Sequence, residues 1–319
     1  MLVRFWGTRG SLPTPMNAAD VRAKLVSALG KANGRSFADE AEIKAFVDGE
    51  LPFETAGAFG GNSSCVEIEP GGDEHIICDM GSGLRAMGQE IMKKHGPGNP
   101  QTYNIFMSHP HWDHIMGLPF FPPAYIPGNK LRIHACHEVM EKALRIQQSA
   151  PCFPVPFDFL GSDIEFVTLE TGEAYDIAGC QVTAILQPHS GDSYGYRFEQ
   201  DGKSVVYSTD GEHKLESEEE TERFVAFYKE ADLVIFDAMY TMADMISVKE
   251  DWGHSSKIIG VDLCHRARVK HYCMFHHEPM FDDAMLATIL EETRRYEEIM
   301  REDHELHVSS AYDGLEISV

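Results

Sequence analysis

The segment Ser108-His-Pro-His-Trp-Asp-His114 places three histidines and one aspartate within six residues, directly behind the apolar run Tyr103–Met107. Imidazole and carboxylate together are donors that suit Zn²⁺, Mn²⁺ and Fe²⁺. The spacing narrows the geometry. His109 and His111 stand two apart, so an extended turn can face both rings toward one ion. Asp113 and His114 are adjacent, so a bend there can aim both at a neighbouring ion. A helical site would need histidines at i and i+4, and this segment has no such pair.

Further donors stand behind other apolar runs. Asp79 closes Ile76–Asp79, His189 follows Ile185–Pro188, and Asp210 follows Val205–Thr209. Asp237 follows Leu233–Phe236, and the doublet His276-His277 follows Tyr272–Phe275. Each is a polar group behind a run that reads as a buried strand. In layered α/β proteins, sites gather at strand ends.

The elements that must position these residues follow from periodicity and turn residues. Leu2–Trp6 reads as a strand. Val21, Leu25 and Leu29 recur at helical spacing behind Asp20, which is expected as the N-cap. Ile43, Phe46 and Val47 mark a second helix, so Met16–Ala58 reads as a helical insertion between two strands of one sheet. Strands are expected at Ser64–Glu69, Glu74–Asp79, Tyr103–Met107, Leu131–Ala135, Ile164–Leu169, Gln181–Gln187, Tyr194–Glu199, Ser204–Ser208, Leu233–Phe236 and Lys270–Phe275. Helices are expected from Gly83 to His95, at Glu138–Gln148, Ser217–Lys229, Ser255–His265 and Asp282–Glu302. The acid run Glu216–Glu222 reads as a solvated helix face. Sheets at the centre with helices outside are the expected arrangement, in one domain spanning 1–319.

Composition bounds the partners. The chain has 319 residues, with Lys+Arg 27 against Asp+Glu 51, a formal net charge of −24. Gripping an extended nucleic acid needs a basic stripe that replaces counterions, so that class is disfavoured. Met1–Asp20 has no apolar run of about 7–15 residues behind a basic start, and no apolar stretch reaches about 18 residues. The seven cysteines form no CxxC and read as buried free thiols of a reducing compartment. A cytoplasmic protein without a membrane span is expected.

His109, His111, Asp113 and His114 in HxHxDH order, then an isolated His, an isolated Asp and a late His, resemble the metallo-β-lactamase superfamily. FWGTRGS at Phe5–Ser11, GGNSSC at Gly60–Cys65, DMGSG at Asp79–Gly83, STDGE at Ser208–Glu212 and FHHEP at Phe275–Pro279 resemble its tRNase Z-like phosphodiesterase branch, which includes cyclic-nucleotide phosphodiesterases. The resemblance implies a four-layer αββα sandwich, a homodimer, and two divalent transition-metal ions, with zinc first and manganese or iron as alternatives. It implies that His109, His111 and His189 hold one ion, that Asp113, His114 and His276 hold the other, and that Asp210 bridges them. His276 stands at the ligand's place, although His277 offers a second ring beside it. Asp79 is implied to orient a ligand histidine, fixing its tautomer. His254, in Trp252-Gly-His-Ser-Ser256, matches the branch's additional histidine, with Asp237 as its carboxylate partner where tRNA-processing relatives carry Glu. Asp113 is counted with these two among the catalytic residues. The bland alternative for His254 is a place at the start of the helix that follows it.

The resemblance implies that such a centre can cleave phosphodiesters. Two ions ~3.5–4 Å apart hold a bridging hydroxide and clamp the attacking and leaving oxygens. An alkoxide leaves poorly, so a positioned acid is needed, contributing roughly 10²–10⁴-fold. His254 suits that part, with Asp237 keeping it protonated. The net charge, and the absence of a Gly/basic-rich block in Leu118–Pro188, favour a small diester such as a cyclic nucleotide over RNA. Phe120, Phe121 or Tyr125 could stack on a base or could be core. Tyr194 could touch substrate. The alternatives are a tRNase Z-like RNA 3′-processing endonuclease, or a hydrolase of a lactone, thioester or lactam.

Overall fold

In the computed structural model of the chain, residues 1–213, 217–241 and 253–319 are described. One seven-stranded sheet comprises β1 (Leu2–Gly7), β2 (Cys65–Glu69), β3 (His75–Cys78), β4 (Thr102–Met107), β5 (Lys130–Ala135), β6 (Asp163–Thr168) and β14 (Glu316–Ser318), in the order β14-β1-β2-β3-β4-β5-β6. The second comprises β7 (Ala174–Ile177), β8 (Cys180–Gln187), β9 (Ser193–Gln200), β10 (Lys203–Ser208), β11 (Leu233–Asp237), β12 (His271–Phe275) and β13 (His307–Ser310), in the order β13-β12-β11-β10-β9-β8-β7.

Side-chain alternation along the strands builds the layers. On β4, Phe106 points between the sheets and meets Tyr196 and Phe198 of β9. Its neighbours Tyr103, Ile105 and Met107 point outward, into a cluster with Leu84 and Met87 of α4 (Leu84–His95), Ile115 of α5 (Trp112–Ile115) and Met140 and Leu144 of α6 (Met140–Gln147). On β10, Val205 and Tyr207 face the inter-sheet core while Val206 faces outward. There it joins Phe224 and Tyr228 of α7 (Glu218–Tyr228), Leu263 of α8 (Lys257–Arg266) and Ile289 of α9 (Asp283–Met300). The result is helix, sheet, sheet, helix, the αββα sandwich. Burying each such side chain stabilises by about 1.5–3 kcal/mol, against about 0–1 kcal/mol for an exposed ion pair. The three apolar clusters therefore hold the layers together. Among the described residues no helix is long and apolar enough to cross a membrane.

Between the antiparallel neighbours β1 and β2 lies the insertion, with α1 (Ala18–Lys31), α2 (Glu40–Glu50) and α3 (Phe53–Ala56). Asn17 caps α1, not Asp20. The Asn17 side chain accepts from the Ala19 and Asp20 amides, while Asp20 at the third helical position accepts from the Asn17 amide, completing a capping box. The apolar stripe of α1 faces outward, with Leu25 59% and Leu29 71% exposed. Its inner face is polar: Lys24 Nζ donates to the Glu54 and Gly57 carbonyls at 2.6 Å and pairs with Asp283.

Two other expectations change. β7 has no counterpart in the sequence reading, because its alternation is carried by half-buried Tyr175 and Ile177 alone. Cys152 is exposed, whereas Cys65, Cys78, Cys180, Cys264 and Cys273 are buried. In the acid run, Glu218, Glu219 and Glu222 are exposed on α7; Glu216 and the Trp252 of the WGHSS motif lie outside the described residues.

Candidate metal centre

Parallel pairing brings the strand ends to one edge. In β3/β4 Cys78 lies opposite Phe106, and in β11/β12 Asp237 lies opposite Phe275. Asp79, Asp210 and His276 then leave their strands in the left-handed region, with φ of 61°, 51° and 58°. Such a conformation costs a non-glycine residue of order 1 kcal/mol or more and recurs at functional sites. Here it turns Asp210 and His276 into one cleft and sets Asp79 behind it, against His114 Nδ1.

Ligand atoms of His109, His111 and His189 lie within 4.8 Å of one another, as do those of Asp113, His114 and His276. His111 Nδ1 is 3.2 Å from His189 Nε2. His276 Nε2 is 3.4 Å from Asp113 Oδ2. Asp210 stands between the groups. Its Oδ1 is 3.3 Å from His114 Nε2 and 3.2 Å from His276 Nε2, while its Oδ2 is 3.7 Å from His109 Nε2 and 3.8 Å from His189 Nε2. One carboxylate thus presents one oxygen to each triad. His276 is in the cluster and His277 is not: His277 Nε2 donates to the Ala311 carbonyl at 2.8 Å, and burial lowers its pKa to about 3.

The donor set fits metal ions. His109 Nε2 is buried without a hydrogen bond, which costs free energy unless something else is bound there, and His114 Nε2 faces the carboxylates of Asp113 and Asp210 at 3.1 and 3.3 Å. Burial opposes ionisation of Asp113 and Asp210 but is outweighed by their histidine neighbours, which hold both well below the usual carboxylate range. His114 is pushed up by Asp113, Asp210 and Asp79 against its burial. A bound cation replaces protons of this kind.

The ring nitrogens turned away from the cluster are also held. Asp79 Oδ2 accepts from His114 Nδ1 at 2.7 Å, and Asp79 takes three further bonds, from the Ser108 amide, the Ser108 hydroxyl and the Tyr207 hydroxyl. The Ser108 hydroxyl donates to Asp79 and lies 3.0 Å from His109 Nδ1, so it accepts there. The Ser11 amide donates to Asp113 Oδ2 at 2.8 Å. Gly10 packs so closely that a Cβ on it would lie 2.5 Å from His276 Cε1. The Gly253 carbonyl accepts from His189 Nδ1 at 2.7 Å. Ser11, Ser108, Tyr207 and Gly253 were not singled out from the sequence: Ser11, Ser108 and Gly253 sit inside the quoted motifs, and Tyr207 lies in the apolar run before Asp210 and reads as core.

His254 is not an outlying helix-start residue. Its ring stacks at 5.1 Å on His276 and lies 5.2 Å from that of His189. Ser256, not His254, caps α8. His254 Nδ1 donates to Asp237 Oδ2 at 2.8 Å, and Asp237 also accepts from the Met239 amide. Burial disfavours the charged ring, but Asp237, then Asp210 and Asp113, raise its pKa to about 9. Of the three loop aromatics, Phe121 is fully buried and cannot stack on a ligand. The Tyr125 hydroxyl donates to the Pro119 carbonyl. Phe120 is exposed and lines a groove of about 830 Å³ with Trp112 and Phe153. Tyr194 is half-buried, edge-on to His137 at 4.9 Å, and its amide donates to the Ser108 carbonyl.

A two-sheet αββα sandwich with a His/Asp cluster at one edge defines a metallo-β-lactamase-type protein. The chain matches the beta-lactamase superfamily domain over residues 74–277 and belongs to that family. It is 34% identical over 109 residues to ribonuclease BN of Escherichia coli, a match covering 31% of this chain and 32% of that protein, so the chain spans about a third of the curated relative's length. The metallo-beta-lactamase fold protein YhfI of Bacillus subtilis superposes with a TM-score of 0.64 at 14% identity, covering 99% of this chain and 98% of that one. A diphosphatase from the PhnP family superposes with a TM-score of 0.59 at 18% identity, covering 100% and 97%. At these identities the two structures share the fold.

Proposed function

We propose that this protein is a metal-dependent hydrolase of a small phosphodiester, with a cyclic nucleotide or similar ester as substrate. The observation that carries this reading is the pair of donor triads sharing Asp210, with His254 and Asp237 beside them. His109, His111 and His189 would hold one divalent ion, and Asp113, His114 and His276 the other. Zinc suits these donors, as do manganese and iron. Two such ions would supply a water of low pKa and neutralise charge on the phosphoryl oxygens.

The chain's own residues do the rest. Asp210 keeps the two triads in register, one oxygen toward each. Asp79 and Ser108 hold His114 and His109 with their Nδ1 atoms outward, leaving both Nε2 atoms for the cleft. His254 keeps a proton on Nδ1 for Asp237, so its Nε2 is the atom that gives a proton to the leaving oxygen. The bond to the Asp237 carboxylate favours the charged ring.

Two features favour a small ester over RNA. The net charge of −24 opposes a long polyanion. The stretch 118–188 is occupied by compact elements, β5, α6, β6, β7 and β8. The partial likeness to ribonuclease BN favours the RNA 3′-end endonuclease reading instead. Metal-loaded protein offered cyclic mononucleotides, bis-p-nitrophenyl phosphate and pre-tRNA at physiological salt separates them. Turnover should be greatest on the small diesters. Efficient, accurate trimming of pre-tRNA would replace this reading with the second.

A further inference from the structure

The residues after the shared carboxylate run alongside the segment that carries His254, and the two are laced together. Ser255 Oγ donates to the Gly211 carbonyl at 2.6 Å, and the His213 amide donates to Ser255 Oγ at 2.9 Å. Glu212 makes the connection that matters most. Its amide donates to the Pro188 carbonyl at 2.8 Å, one residue before His189. Its Oε2 accepts from the Gly253 amide at 3.0 Å. On the far side of Gly253, the carbonyl accepts from His189 Nδ1 at 2.7 Å. Glu212, Gly253 and His189 therefore form a chain in which one residue lends its amide to a carboxylate and its carbonyl to an imidazole.

We propose that Glu212 is a positioning residue that acts through Gly253 on two groups at once. It fixes His189 as the Nδ1-protonated tautomer, leaving Nε2 for the centre, and it sets the place of His254, the next residue in the chain. This inference rests on the metal-centre reading and extends it to a residue outside the donor set.

The physical basis is charge-assisted hydrogen bonding in a buried place. Glu212 is 8% exposed. A hydrogen bond to an ionised acceptor is roughly twice as strong as a neutral one. The Gly253 amide and carbonyl belong to successive peptide units, so the effect on His189 is positional: with its amide held by Glu212, Gly253 presents its carbonyl to His189 Nδ1. The approach requires glycine. Gly253 has φ of +84°, and a Cβ there would lie 2.3 Å from His189 Nδ1. Carboxylate, peptide and imidazole are thus in contact along the whole chain.

The test uses Glu212→Ala, with Glu212→Gln as the conservative variant whose side-chain oxygen can still accept from Gly253. The first readout is the His189 imidazole in long-range ¹H–¹⁵N spectra of the metal-free protein. The native chain and Glu212→Gln should show the Nδ1-protonated tautomer, and Glu212→Ala should show a mixture. The second is zinc titration. Glu212→Ala should weaken one of the two ions by roughly 10–100-fold and leave the other unchanged. Should Glu212→Ala not fold, Glu212→Asp, one methylene too short to reach Gly253, gives the same two readouts. An unchanged His189 tautomer with both ions bound as in the native chain overturns the proposal, even if the variant melts earlier. If the native chain takes up no metal, the metal-centre reading fails, while the tautomer readout still decides whether Glu212 positions His189.

Discussion

His254 Nδ1 lies 2.8 Å from Asp237 Oδ2, and the same ring stacks on His276, a donor of the second triad. His254 and the His/Asp cluster are thus one packed unit. The bond to Asp237 also decides which nitrogen is left for a substrate.

His254→Ala should keep both ions and the fold while losing roughly 10²–10⁴ in rate on a cyclic nucleotide, whose alkoxide needs a proton. The ester of p-nitrophenolate, which leaves without help, should lose little. The rate on the cyclic nucleotide should fall at the alkaline pH where His254, held protonated by Asp237, gives up its charge. Asp237→Asn should move that falling limb to lower pH. Equal losses on both substrates would remove His254 from the donor's role.

Asp210→Ala should bind well below two ions per chain and turn over at background level, because each triad loses an oxygen. Metal analysis beside a turnover assay checks this. Full metal content with full activity would show that the carboxylate is not shared.

The doublet 276–277 separates by variant. His276→Ala should lose the ion of the Asp113/His114 group. His277→Ala should keep both ions and instead lower the unfolding midpoint, since His277 is buried on the Ala311 carbonyl. The reverse pattern would exchange the two assignments.

Asp79→Asn leaves the shape of the site but weakens the acceptor for His114 Nδ1. Metal affinity should drop roughly 10–100-fold, as changes to partners of ligand histidines do. A competition titration against a chelator of known affinity reads the drop. An unchanged affinity would mean that Asp79 only braces the backbone of Ser108.

Acid should destabilise the metal-free protein early. Burial lowers His134, His213 and His271 to about 4 and His277 to about 3. A histidine depressed below its unfolded value contributes stability that is present above about 6.5 and lost as pH falls toward the folded value. The urea midpoint should therefore fall between pH 6.5 and pH 4. His213→Phe, in a pocket formed by Phe224 and Phe236, should flatten the slope. A slope unchanged in that variant would assign the effect to other groups.

What the sequence determined by itself was local and chemical. The HxHxDH spacing, the lone donors behind apolar runs and the strand alternation point to the residues that cluster and to most elements, because each depends on residues close in the chain. The N-cap of α1 was misread because Asn17 and Asp20 bond to each other reciprocally, and a linear scan cannot rank two such residues. The outward stripe of α1 was hidden for a different reason: periodicity states that a face exists, not where the rest of the molecule lies.

Only the tertiary structure decided which ring of the 276–277 doublet enters the cleft, that each oxygen of Asp210 serves a different triad, and that His254 turns toward Asp237. It also brought Glu212, Gly253 and His189 into one chain of hydrogen bonds. These relations join residues at the ends of five strands, β4, β8, β10, β11 and β12, in two sheets. Their distances are set by sheet registers and by the left-handed turns at Asp79, Asp210 and His276, which no local pattern encodes.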